Sequence, residues 1–154
     1  MLETTLALTF HVLGAVVWVG GIFAAYVCLR PAAGALEAPQ RLQLWRNFFR
    51  KFFPWVWVSV LLLLASGYWM LLTTFGGFKG APLYIHLMQG IGWLMVALFV
   101  WLFHGPWFKF KRAVDAQDWP TAAGHLKDIA QIIQINLPLG LIVVVIGGTG
   151  RFWG

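Results

Sequence analysis

Two histidines, His11 and His86, stand inside long apolar runs of a chain of 154 residues. An ionisable side chain within a membrane span is costly, so it usually faces a bundle interior and marks a cofactor, an ion path or a proton relay. Each begins a similar phrase: Trp18 follows His11 by seven residues and Trp93 follows His86 by seven, with Gly14 and Gly90 between. This weak echo suits two helical hairpins related by an axis along the membrane normal.

At 1.5 Å per residue, His11 is expected roughly 10 Å and His86 roughly 6 Å below the outer ends of their spans, at comparable depth. Imidazoles facing each other across a helical bundle can serve as axial ligands to a haem iron. In that arrangement Gly14 and Gly90 would let a flat macrocycle approach the backbone, Trp18 and Trp93 would wall it, and Gln89 and Asn136 would tune it through hydrogen bonds. The cofactor expected first is therefore haem b on His11 and His86. The chain would then exchange electrons with a quinone, a periplasmic redox protein or an external oxidant, and a haem-dependent membrane oxidoreductase would be its enzyme class.

Copper is the rival, because imidazole suits copper and thioether suits Cu(I). Met70 and Met88 lie near the depth of His86, but His86 and Met88 are two residues apart and do not share a helix face. A third reading has the histidines merely bonding neighbouring helices in a cofactor-free assembly subunit. His104 and His125 share a depth at the opposite end, where interfacial water satisfies them. Cys28 stands alone, which excludes an intrachain disulfide or a CxxC motif.

The elements that must position these residues are membrane helices. With 60% hydrophobic and 10% charged residues, the composition is that of an integral membrane protein. Four apolar segments, about residues 5–29, 53–75, 82–103 and 129–149, are each near the ~20 residues that cross the hydrocarbon core. The expected fold is an all-α four-helix membrane bundle, residues 1–154 forming a single transmembrane domain. The first segment fits a signal peptide poorly, being long and preceded by Glu3 rather than a basic residue.

Nine of the eleven Lys and Arg fall in loops on one side and only Lys79 and Arg151 on the other. This sorting sets topology rather than nucleic-acid binding, and it places both termini in the periplasm. Helix one is expected to end at Leu29, before Arg30-Pro31. Residues 39–51 read as a cytoplasmic amphipathic helix on anionic lipid, with Leu42, Trp45, Phe48, Phe49 and Phe52 on one face, bending into the second span at Pro54. Asp118-Trp119-Pro120 reads as the start of a helix, an acidic cap with Pro in the first turn.

Over nearly its whole length the sequence resembles the membrane domain of the CopD copper-resistance family. The resemblance rests on His11-Val-Leu-Gly-Ala-Val-Val-Trp-Val-Gly-Gly21, Lys111-Arg-Ala-Val-Asp-Ala-Gln-Asp-Trp-Pro120, and Asn136-Leu-Pro-Leu-Gly140 before Gly150-Arg151. It implies a bacterial inner-membrane protein of copper handling, with a periplasmic copper partner and His11 as an outward-facing ligand. Larger members carry more helices, so four-helix transport would call for a homodimer. The chain is also similar in size and layout to the HemJ protoporphyrinogen oxidases, which bind haem b through histidines of their first and third helices. His11 and His86 match those positions, whereas Leu87-Met88-Gln89 stand where HemJ has a basic residue, which argues against the same substrate chemistry.

Overall fold

The computed structural model describes residues 1–153, which are almost entirely helical, with no strand among the described residues. Four long helices follow one another: α1 Leu2–Ala33, α2 Ala38–Phe75, α3 Leu83–Asp115 and α4 Trp119–Phe152. The four apolar segments fall on these helices as expected. At 38 residues, α2 is about 57 Å long and exceeds the ~30 Å of hydrocarbon, so part of it stands beyond the lipid tails.

Pro31 is expected to end α1, and α1 instead runs on past it. Proline lacks an N–H and crowds the carbonyl four residues back. Before Pro31, α1 widens into a π turn over Ala24–Leu29 and then runs on to Ala33, past the expected stop at Leu29. Around Pro106, α3 does the same over Phe103–Trp107. Single π turns inside α-helices are the usual form of this distortion. Pro54 sits within α2, which continues through it without a break.

The amphipathic stretch is therefore the first part of α2, and its apolar face meets protein rather than lipid. Leu42, Trp45, Phe49 and Phe53 recur at helical spacing and are all buried. Their rings form a ladder, Trp45 on Phe49 at 5.1 Å and Phe49 on Phe53 at 4.9 Å between centroids. Phe49 also meets Trp107 and Phe110 of α3 edge-on, the arrangement that aromatic quadrupoles favour. Arg46 of α2 binds Asp115 of α3 at 2.8 Å beside this cluster.

The helices pair as two hairpins. α1 packs chiefly on α2 and α3 chiefly on α4, while α4 also touches α1 and α2 and closes the bundle. This is the pairing that the echoed His-to-Trp spacing suggests, and both hairpins carry their π turn near the basic end of the leading helix. Gly140 of α4 is the close point between them, because a Cβ there would lie 3.0 Å from Val19 of α1 and 3.1 Å from Met95 of α3.

α4 begins where the local sequence says it should. Asp118 caps it by accepting a hydrogen bond from the Thr121 backbone N–H at 3.2 Å. The Thr121 hydroxyl and backbone together favour the charged form and hold this carboxyl below its ordinary range.

Packing is uneven along the bundle. Of the largest fully buried side chains, Phe49, Phe110, Leu42 and Ile129 lie toward the basic end, and Val56 and Ser59 lie near the middle of α2. In α3, by contrast, buried residues begin at Met95, and none lies in its first twelve positions. His86, Gln89, Gly90 and Trp93 all belong to that thinly packed first segment of α3.

Candidate functional site

His11 lies in the seam between α1 and α2. Its Nδ1 is 3.0 Å from the Ser66 hydroxyl of α2, and Gly67 beside it leaves room for the ring, since a Cβ there would come within 3.1 Å of His11 Cε1. Three residues further along α1, Gly14 sits against Leu63 and the Ser59 carbonyl, so α1 and α2 are already close where the imidazole is held.

The hydrogen bonds assign the imidazole a tautomer. Ser66 has one hydroxyl proton, and it goes to the Leu62 carbonyl in the preceding turn. The Ser66 oxygen must therefore accept from His11, which puts the ring proton on Nδ1 and leaves the Nε2 lone pair free. Metal-ligating histidines are commonly arranged in this way, the far ring nitrogen donating to a protein acceptor that fixes the ring.

His86 is exposed and stacks on Phe78 of the α2–α3 connection, with centroids 6.3 Å apart. Among the described residues its side chain makes no hydrogen bond, so neither ring nitrogen is committed to a protein partner. Gln89 and Trp93, one and two turns further in, both donate to the Tyr68 hydroxyl of α2, Trp93 at 3.0 Å. Tyr68 in turn packs its ring edge against Phe78.

These contacts correct the expectation that the two histidines share a depth. His11 is level with Ser66, while Tyr68 is level with the middle of the Gln89–Trp93 pair, at Ile91. His86 is five residues beyond Ile91 and Tyr68 is two residues beyond Ser66, which together place His86 roughly 10 Å nearer that end of the bundle than His11. The reason is that α1 begins as far out as Leu2, so that His11 is its tenth residue, whereas His86 is the fourth residue of α3.

The remaining expected site residues are dispersed. Trp18 is buried deeper in the core and meets Phe99 edge-on at 6.1 Å. Gly90 faces open space, with nothing within 4 Å of where its Cβ would be. Asn136 is buried and donates from Nδ2 to the Met95 carbonyl at 3.3 Å, and its Oδ1 has no protein partner. Met88 packs against Gly147 of α4, away from α2. Met70 is half-buried one helical turn outward of Ser66, and so on the same face of α2 as the hydroxyl that holds His11.

His104 and His125 do not form a second pair. Each is bonded within its own helix, His104 Nδ1 to the Val100 carbonyl at 2.9 Å and His125 to Asp128 at 3.4 Å. No cluster of three or more His, Cys, Asp or Glu is assembled among the described residues. The arrangement is thus two imidazoles at different heights in the half of the bundle away from the basic end, His86 exposed with neither ring nitrogen committed and His11 set into a helix seam with Nδ1 bonded to Ser66.

Ser66 and Tyr68 were missed as site residues. Tyr68-Trp69 reads in sequence as part of an interfacial aromatic belt, and Ser66-Gly67 as a close-packing step. The available signal was their common position on α2 opposite the His11 and Gln89 levels, which needs the helix pairing to be known.

The family model of copper resistance protein D, CopD, matches residues 46–149. That segment covers about two-thirds of the chain and includes Ser66, Tyr68, His86 and Asn136, with His11 preceding it. No curated protein and no solved structure matches the chain.

Proposed function

This chain belongs to the copper resistance protein D family, and from that premise we propose that it binds copper ions as cargo in the outer half of the membrane. His86 meets the ion first at the exposed end of α3, and His11 holds it deeper between α1 and α2. The observation that carries this reading is the His11–Ser66 hydrogen bond, which leaves Nε2 as a neutral, oriented imidazole donor. A neutral nitrogen donor with the Met70 thioether one turn outward suits Cu(I), whose single charge is also the cheaper one to bring out of water. The basic sorting of the loops supports an outward-facing site in the bacterial inner membrane, with both termini periplasmic and a periplasmic copper donor as partner.

Haem b on His11 and His86 is the second reading, and the same free Nε2 together with the open face at Gly90 favours it. It requires α1 and α3 to shift along each other to remove the offset of about 10 Å in height. The copper reading requires no such movement.

The test is purification in neutral detergent followed by anaerobic Cu(I) titration against a chromophoric chelator, with reduced-minus-oxidised spectra of the same sample. One tightly held copper, lost in His11→Ala and weakened in His86→Ala, is the expected result. Split haem b bands that disappear in both variants would replace the copper reading with the second. A folded protein that takes up neither would overturn both.

A further inference from the structure

A second feature lies at the opposite end of the bundle, where α1 finishes and α2 and α4 begin. A cleft of about 310 Å³ opens there between these three helices. Arg30, Arg41 and Lys127 line it, one from each helix, and no acidic residue does. Its deeper wall is apolar, formed by Ala25, Leu42 and Ile133, and runs along the helices toward the membrane-spanning part.

The two arginines are held by contacts that do not neutralise them. The Arg30 guanidinium lies 4.8 Å over the Tyr26 ring, another wall of the cleft. Arg41 spends one N–H on the Leu36 carbonyl at 3.2 Å, which fixes the fork and leaves its other donors. Among the described residues the carboxylate pairs are Arg46 with Asp115 and His125 with Asp128, so none of the three has an acidic partner. Three like charges converging on one cleft repel one another unless an anion joins them.

We infer that this cleft binds the phosphodiester headgroup of an anionic phospholipid, with Arg30, Arg41 and Lys127 around the phosphate and the first part of an acyl chain along the apolar wall. The chemistry of the lining selects the source. A soluble phosphate would use the cations alone, whereas a lipid also uses the wall behind them. Tyr26 and Trp45 in the same lining are the aromatic types that sit at headgroup level. Basic pockets between helices at this depth are where anionic headgroups dock.

The experiment is native mass spectrometry of the full-length protein from neutral detergent, with phosphatidylglycerol and phosphatidylcholine offered at equal concentration. Wild type should retain one phosphatidylglycerol in preference. Each of Arg30→Gln, Arg41→Gln and Lys127→Gln should weaken retention about fivefold, the worth of one cation at a membrane surface. Arg50→Gln/Lys109→Gln/Lys111→Gln, which removes three cations from outside the cleft, should retain the lipid. An equal loss in that control would make the effect general surface charge and overturn the inference. So would displacement of the lipid by millimolar inorganic phosphate, which would mark a soluble-anion site. Helicity by circular dichroism accompanies each variant. Arg30→Lys/Arg41→Lys, which keeps the charges, should hold the lipid within a few-fold, and its failure to do so in a folded protein counts against the headgroup geometry.

Discussion

Removing the Ser66 hydroxyl tests the tautomer argument at its source. In Ser66→Ala the His11 Nδ1–H loses its side-chain acceptor, at 3.0 Å, inside a seam where Ser66 is 7% exposed. Two responses are open to the ring. Keeping the proton on Nδ1 leaves a part-buried donor unsatisfied, at a cost of about 1–3 kcal/mol. Moving the proton to Nε2 avoids that cost but places it on the atom that would bind copper. Either way the metal-competent form is disfavoured, and loss of a group that orients a ligand typically costs 10–100-fold in metal affinity. Cu(I) competition should therefore show a loss of that size, while Ser59→Ala, a buried serine of the same helix that does not touch His11, should show almost none. Nitrogen-15 NMR of histidine-labelled protein supplies an independent readout: wild-type His11 should carry its proton on Nδ1. Observation of the Nε2–H form in wild type, or unchanged affinity in a folded Ser66→Ala protein, would refute the reasoning.

Three other perturbations separate the packing arguments. Tyr68→Phe removes the acceptor shared by Gln89 and Trp93 and should lower stability by about 1 kcal/mol, read as a lower melting temperature in detergent. Gly140→Ala crowds Val19 and Met95 at the join between hairpins and should melt below Gly148→Ala, which meets nothing within 4 Å and should gain up to about 1 kcal/mol from helix propensity. Asp118→Ala should lower the melting temperature at pH 7 by removing the cap of α4. Because Asp118 titrates below its ordinary 3.8 when folded, its contribution is fully present above that value and is lost as pH falls through the lower one. The gap between wild type and variant should accordingly close in acid, and a gap independent of pH would contradict the charged cap.

What the sequence disclosed depended on the range over which each feature is determined. Asp118-Trp119-Pro120 was legible as a helix start because a cap is settled within a few residues of chain. The four spans were legible because hydropathy is a sum over about twenty residues. The apolar face of Leu42, Trp45 and Phe49 was legible as a helical stripe, but its partner was not: lipid and the Trp107–Phe110 cluster of α3 present equally apolar surfaces to it. Pro31 misled for a related reason, its local penalty standing out where its accommodation did not. The local penalty of a proline is real, yet a π turn absorbed it at Pro31 and Pro106, and α2 carries Pro54 within a continuous helix. His11 was rightly marked as needing a partner, while Ser66, fifty-five residues away, becomes its partner only through the crossing of α1 and α2. The relative height of His11 and His86 was misjudged because it depends on where each helix begins, which apolar segments locate only loosely.

The π turn of α1 bears on the far end of that helix. Each such turn takes one residue more than an α turn, and one residue is worth about 100° of rotation around the helix axis. Everything beyond Ala24–Leu29 is thereby rotated relative to the outer half that carries His11. Arg30 is the first residue past the widened turn, and its bearing on the cleft with Arg41 and Lys127 follows from that rotation. The two ends of α1 are thus set by separate angular registers, so a sequence change that tunes one need not turn the other. A single-residue deletion inside the widened turn would restore regular winding and leave Arg30 facing its two companions, whereas the same deletion in the regular part of α1 between His11 and Phe23 would turn Arg30 by about 100° relative to the seam holding His11.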